Sequence, residues 1–338
     1  MKKLISLICV LAMVLALAAC GSSAPAAATE APAASTEAPA EDVSADKTFV
    51  VGICQLVQHP ALDAATQGFK DALTEALGDK VTFQEQNASG DSATCSLICN
   101  QFVSDEVDLI MANATASIQA AASATNTIPI LGTSITDYGV ALGVDNWTGV
   151  SGTNISGTSD LAPLDGQAAM IQELFPDAKT IGLLYCSGEP NSIFQADSME
   201  ALLTDMGYSV GRYTFADSND VSSVTANACS NSDVLYIPTD NTAASCTEAI
   251  NNVALSAGIP IVAGEEGIAS GCGAATLSIS YYDLGRATGE MAAEILTEGA
   301  DISTMEVRFA PAFTKEYNAD ICEALNITVP EDYVAIAK

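Results

Sequence analysis

The sequence predicts an α/β protein of two doubly wound parallel-sheet lobes joined by a multi-strand hinge. Three observations predict it. Short apolar runs alternate with stretches of helical periodicity along the whole body of the chain, the mark of βαβ units and parallel sheets. The alternation falls into two sets, one after the other. A further helix and strand follow the second set, so the chain recrosses between lobes and makes a hinged pair around a cleft.

The chain opens on Met1-Lys2-Lys3 and an apolar run over residues 4–19, too short for a comfortable membrane span. That run ends Leu17-Ala18-Ala19-Cys20-Gly21, a cysteine directly after small residues. It looks like a bacterial lipobox, in which Cys20 is lipidated and becomes the first mature residue. Residues 21–46 are Ala, Pro, Ser, Thr and Glu with almost nothing to bury, and are expected to form a disordered tether with a typical end-to-end distance of roughly 30 Å.

From residue 47 the first set begins. Residues 49–56 read as a central strand, and Leu62, Ala65, Phe69, Leu73 and Leu77 recur at helical spacing over 61–77. Strands follow at 81–86, 107–111, 128–131 and 150–153, with helices at 92–105 and 114–125 between them. The second set has helices at 164–175, 193–206, 221–229 and 242–257. Its strands lie at 180–185, 209–215, 234–237, 259–263 and 275–280. A helix at 284–297, a strand near 305–309 and a helix near 317–325 close the chain. The expected division is residues 47–153 plus about 283–304 for one lobe, and 154–282 plus about 305–338 for the other.

Composition narrows the function. A formal charge of −31, from 42 acidic and 11 basic residues, repels nucleic acid and anionic lipid, so neither is an expected partner beyond a lipid anchor. Of the ten cysteines none forms a CxxC pair, and His59 is the one histidine, which argues against a zinc site. There is no Walker A, HExxH, GxGxxG or Gly-x-Ser-x-Gly motif, so no cofactor and no enzyme activity is expected.

Ligands of open α/β sheets sit beyond the carboxyl ends of the strands, and the candidate residues are those placed there. After the first strand come Gln58, His59 and Asp63; Pro60 holds His59 extended. Thr115 follows the third strand as a cap whose hydroxyl suits a carboxylate. In the second set, residues 181–192 run strand, polar loop, helix start: Ser187, Asn191 and Ser192 with helix-start amides suit a carboxylate, and Glu189 an ammonium. Asp240 and Asn241 follow the strand at 234–237, and Glu265 the strand at 259–263. The group is rich in acceptors and suits a cationic or zwitterionic ligand better than a phosphate.

The stretches Gln58-His59-Pro60-Ala61-Leu62-Asp63, Asn113-Ala114-Thr115-Ala116, residues 154–165 and 185–192, Ile237-Pro238-Thr239-Asp240-Asn241, residues 281–289 and Asn326-Ile327-Thr328-Val329-Pro330, taken as an ordered set, carry a family resemblance. The chain resembles ABC-transporter substrate-binding lipoproteins of the periplasmic-binding-protein-like I class, within the group that binds tryptophan and other aromatic amino acids. The resemblance implies a type I periplasmic-binding-protein fold, a small ligand in the cleft, lobe closure, delivery to an ABC permease, and anchoring outside the cytoplasm through Cys20. The other readings of the same pattern are a nucleoside or sugar receptor of the same fold and, less in keeping with the motifs, a secreted hydrolase.

Overall fold

The computed structural model describes residues 47–310 and 312–337. The expectations for the leader, for Cys20 and for the tether lie outside the described residues.

Two sheets organise the body. Strands β1 (Phe49–Gln55), β2 (Val81–Asn87), β3 (Leu109–Asn113), β4 (Ile130–Ile135), β5 (Ile155–Ser159) and β11 (Arg308–Phe309) form the first, in the order β11-β5-β4-β3-β1-β2, with every neighbouring pair parallel. The second holds β6 (Thr180–Cys186), β7 (Ser209–Phe215), β8 (Val234–Ile237), β9 (Ile261–Ala263), β10 (Ala275–Ser278), β12 (Thr314–Tyr317) and β13 (Val334–Ala335), in the order β13-β12-β10-β9-β8-β6-β7. There β12 runs antiparallel to β10, and the other pairs are parallel. The central strands are near-continuous apolar runs because helices cover both faces.

The first sheet is covered by α1 (Pro60–Leu77), α2 (Ser92–Ser104), α3 (Thr115–Ala124), the short α4 (Tyr138–Leu142) and the late α11 (Tyr281–Glu298). Around the second lie α5 (Leu164–Leu174), α6 (Pro190–Asp205), α7 (Val221–Cys229), α8 (Asn241–Ser245), α9 (Thr247–Ala257), α10 (Glu266–Cys272) and α12 (Ala319–Ala324). The return of α11 to the first sheet is fixed by backbone contact: a Cβ on Gly68 would lie 2.0 Å from Tyr282 O, and one on Gly285 2.0 Å from Ala65 O.

Several expected boundaries move. No strand forms at 150–153; the strand is β5, over residues to which the sequence assigned no element, because Ser156, Thr158 and Ser159 bury their hydroxyls in hydrogen bonds to Met305 O, to the Thr133 and Thr288 hydroxyls and to Thr136 O. Both β5 and β11 belong to the first sheet, so the sheets part within residues 160–163 and not at 153/154. The helix expected over 242–257 breaks at Cys246 into α8 and α9. Helices α4 and α10 and strands β12 and β13 were not expected; all are seven residues or fewer.

Candidate functional site

The carboxyl ends of both sheets face one narrow cleft. His59 enters from the β1–α1 turn, Ser134 from β4, Asp160 from the chain leaving β5, Asn191 from the first turn of α6, Asp240 from the β8–α8 turn, and Tyr281 from the start of α11. Among the described residues that line it, none is lysine or arginine, while Asp160, Asp240 and Glu265 all do.

These carboxylates are not equivalent. Glu265 caps α10, its Oε2 accepting from Gly267 N at 2.6 Å and its Oε1 from Ile268 N at 2.5 Å. Asp240 caps α8 through Ala243 N at 2.7 Å and also accepts from Cys186 N at 2.6 Å, which ties β6 to β8. Glu189 accepts from Asn241 N and Nδ2, Thr242 N and Oγ1, and Asn191 Nδ2, all at 2.7–3.1 Å. These three carboxylates, expected to receive an ammonium, are committed to holding helix starts and loops. Burial, reinforced by Glu189, pushes the Asp240 carboxyl up to about 8, and burial pushes Glu265 up to about 7.

Asp160 differs. It is 3% exposed, its Oδ2 accepts from Tyr281 OH at 2.9 Å, and its Oδ1 has no hydrogen-bond partner. Burial pushes its carboxyl up to about 6, against the pull of the Tyr281 and Thr136 hydroxyls. Two other buried polar atoms of the lining also lack partners, Ser134 Oγ and His59 Nδ1. Ser134 holds a φ of 56°, a region a serine adopts at a cost and one that clusters at ligand sites. Buried polar groups are ordinarily paired with protein or water, so these three are positions at which a polar ligand can bond.

The other expected residues divide. Asn191 and Asn241 line the cleft. Ser192 is buried behind it, donating towards Asp240. Gln58 is exposed, and so is Asp63, which accepts from Gln55 Nε2. Ser187 is exposed and donates to Phe215 O; Thr115 is the buried first residue of α3 and is not part of the lining. Sequence reasoning missed Asp160, Ser134, Thr136, Thr239 and Tyr281. Only Asp160 offered a signal, as an acid directly before the crossover.

Because Asp240 is a cap, Asp240→Ala is expected to cost stability and not only affinity. Two buried amides would lose their acceptor, roughly 2–5 kcal/mol in sum. Urea unfolding of the ligand-free variant checks this; an unchanged midpoint would show that the cap is dispensable.

The described cysteines are free thiols, all buried but Cys246. No group of three or more His, Cys, Asp or Glu among the described residues is arranged to hold a metal ion, and no described helix is long and apolar enough to cross a membrane.

Comparison with known proteins gives the family and the fold. The family model for ABC transporter substrate binding proteins matches residues 50–338. A tyrosine-binding protein of Clostridioides difficile (strain R20291) is 38% identical over 280 residues, covering 82% of this chain and 81% of that protein. Among solved structures, the ABC domain from Streptococcus pneumonia in complex with L-Trp superposes with a TM-score of 0.80 at 31% identity, covering 84% of this chain and 97% of the other. The ligand-free, open structure of a substrate-binding protein with adhesive properties from Clostridium difficile gives a TM-score of 0.66 at 37% identity, covering 86% and 99%. The fold is that of type I periplasmic binding proteins.

Proposed function

The chain belongs to the ABC transporter substrate-binding proteins, and from that premise we propose that it captures an aromatic α-amino acid between its lobes and presents it to the permease of an importer. Proteins of this family bind solutes outside the cytoplasm. The finer assignments are ours: the ligand class, an anchor through lipidated Cys20, and a cleft that binds without turnover.

The observation that carries the ligand class is the unpaired Oδ1 of Asp160. A buried carboxylate oxygen without a donor, in a cleft with no cationic side chain among its described lining residues, calls for a cation brought by the ligand. An α-ammonium answers it. The ligand carboxylate has a donor in the Ser134 hydroxyl, and Asn191 in the first turn of α6 lines the same cleft. Leu62, Ala244 and the Tyr281 ring supply apolar wall for a large side chain. Relatives bind tyrosine and tryptophan, which supports the same class here.

The lobes meet across the cleft through His59 Nε2 and Asn241 Oδ1 at 3.3 Å, and the likeness is greater to the tryptophan complex than to the open structure despite lower identity. Both favour a closed arrangement that a ligand bridging the lobes would stabilise.

Calorimetry of the purified protein against the twenty amino acids, nucleosides and simple sugars tests the reading. Micromolar binding of one or more aromatic amino acids is expected. Binding of a sugar or nucleoside with no heat from any amino acid would overturn it.

A further inference from the structure

The hydrogen bonds around His59 fix what its free nitrogen can do. Glu189 Oε2 accepts from the backbone N–H of Asn241 at 3.0 Å and takes a second bond from Asn241 Nδ2 at 2.7 Å. The Asn241 amide is therefore oriented, with its NH₂ on Glu189 and its Oδ1 towards His59. An amide oxygen only accepts, so the His59 Nε2 that meets it at 3.3 Å carries the proton. Burial holds the imidazole below its ordinary protonation range, more than Asn241, Glu189 and Asp63 raise it, so the ring is neutral. A neutral ring protonated at Nε2 has a bare lone pair at Nδ1. That atom is buried and has no partner, and His59 belongs to the cleft lining.

The cleft thus holds two unpaired acceptors, Asp160 Oδ1 and His59 Nδ1. They come from different strands: His59 follows β1 and Asp160 follows β5, which lie three strand positions apart in the first sheet. They also differ in charge: the carboxylate favours a cation, whereas the neutral imidazole nitrogen takes any N–H or O–H donor. The third orphan, the Ser134 hydroxyl, can donate or accept and so sets no polarity.

Resting on the amino-acid reading above, we infer that the cleft selects an aromatic amino acid whose side chain carries a hydrogen-bond donor of its own, a phenol O–H or an indole N–H, delivered to Nδ1 of His59. The ammonium answers Asp160 by charge, and the side-chain donor answers His59. Phenylalanine brings only the first. On binding it would seal Nδ1 away from water without a partner, and a site built for a polar group rejects the analogue that lacks it. His59 is then the residue that sets specificity within the aromatic class, and its contact with Asn241 couples that choice to lobe closure.

Calorimetry with tyrosine, tryptophan, phenylalanine and O-methyltyrosine tests this. The better of tyrosine and tryptophan is expected to bind roughly 5- to 150-fold more tightly than phenylalanine. O-Methyltyrosine keeps the ring and its oxygen but loses the donor, and is expected to fall with phenylalanine. In His59→Leu the ratio between the donor-bearing ligand and phenylalanine is expected to collapse towards one. Phenylalanine binding within about threefold of both others in the unmodified protein would overturn the inference while leaving the amino-acid reading in place. So would a ratio that survives in His59→Leu. Heat from none of the four would remove the amino-acid reading and this inference together. The four ligands on the unmodified protein decide between donor and no donor even if His59→Leu does not fold.

Discussion

Gly285→Ala is expected to destabilise the protein by at least about 3 kcal/mol, although the same change inside a helix ordinarily stabilises by about 1 kcal/mol. Gly285 lies within α11, where it meets α1 backbone to backbone. A Cβ there would sit 2.0 Å from Ala65 O and 2.7 Å from Ala65 C, and no rotation of a flexible side chain relieves a clash with backbone. Gly68 on α1 stands in the same relation to Tyr282 O, and a Cβ on Gly289, one turn further along, would lie 2.6 Å from Phe69 O. The helices would have to part by more than an ångström along their shared length, which forfeits much of the dispersion between them. Met291, Ala292 and Leu296 of α11 lie in the same core as Phe69 and Leu73 of α1, so the loss reaches the first sheet. Thermal unfolding should show a fall of roughly 6–12 °C or more. Gly188→Ala is the control: its nearest contact would be Cys186 Sγ at 3.7 Å, and it should shift stability by no more than about 0.5 kcal/mol. A Gly285→Ala protein as stable as the unmodified chain would show that α1 and α11 separate freely. The site should feel the change too, since Tyr281 at the head of α11 carries the bond to Asp160.

The α/β class and the two sheets were legible because buried parallel strands are apolar runs of the right length and the helices between them have clear periodicity. Where a strand is mostly Ser, Thr and Gly, as β5 is after Ile155, that signal vanishes: its polar side chains bury only because Thr133, Thr136, Thr288 and Met305 supply partners from elsewhere in the chain. Misreading β5 hid Asp160, which leaves its end. The carboxylates that were singled out, Asp240 and Glu265, stand after strands as expected, but a residue after a strand also stands before a helix. Spacing alone did not say whether a side chain looks into the cleft or back to cap the next helix; the amides at Ala243, Gly267 and Ile268 decide it. The φ of 56° that accompanies the free hydroxyl of Ser134 leaves no trace in composition.

Asp160→Asn is expected to remove ligand binding while making the ligand-free protein more stable at neutral pH. The loss follows from charge. The amide keeps the shape and still accepts from Tyr281 OH, but it has no negative charge for a buried ammonium, and breaking such a pair costs about 2–5 kcal/mol, or roughly 30- to 5,000-fold in affinity. The gain follows from linkage. The folded-state value of about 6 lies above the ordinary carboxylate value near 3.9, so the native state binds the proton more tightly than the unfolded chain. This contribution to stability is fully present below about pH 4 and is lost as pH rises through about 6. Two units correspond to about 3 kcal/mol for this fully buried group. Asparagine does not titrate, so that segment of the pH dependence should disappear. Glu265 and Asp240, also raised by burial, lose their own contributions as pH rises towards 7 and 8, so the slope should shrink without vanishing. Denaturant unfolding of the ligand-free proteins at pH 5 and pH 7.5 reads the stability, and calorimetry at pH 7.5 reads the binding. Micromolar affinity retained in Asp160→Asn would show that the ammonium is held elsewhere. An unchanged difference in stability between the two pH values would show that Asp160 carries no charge in the empty cleft.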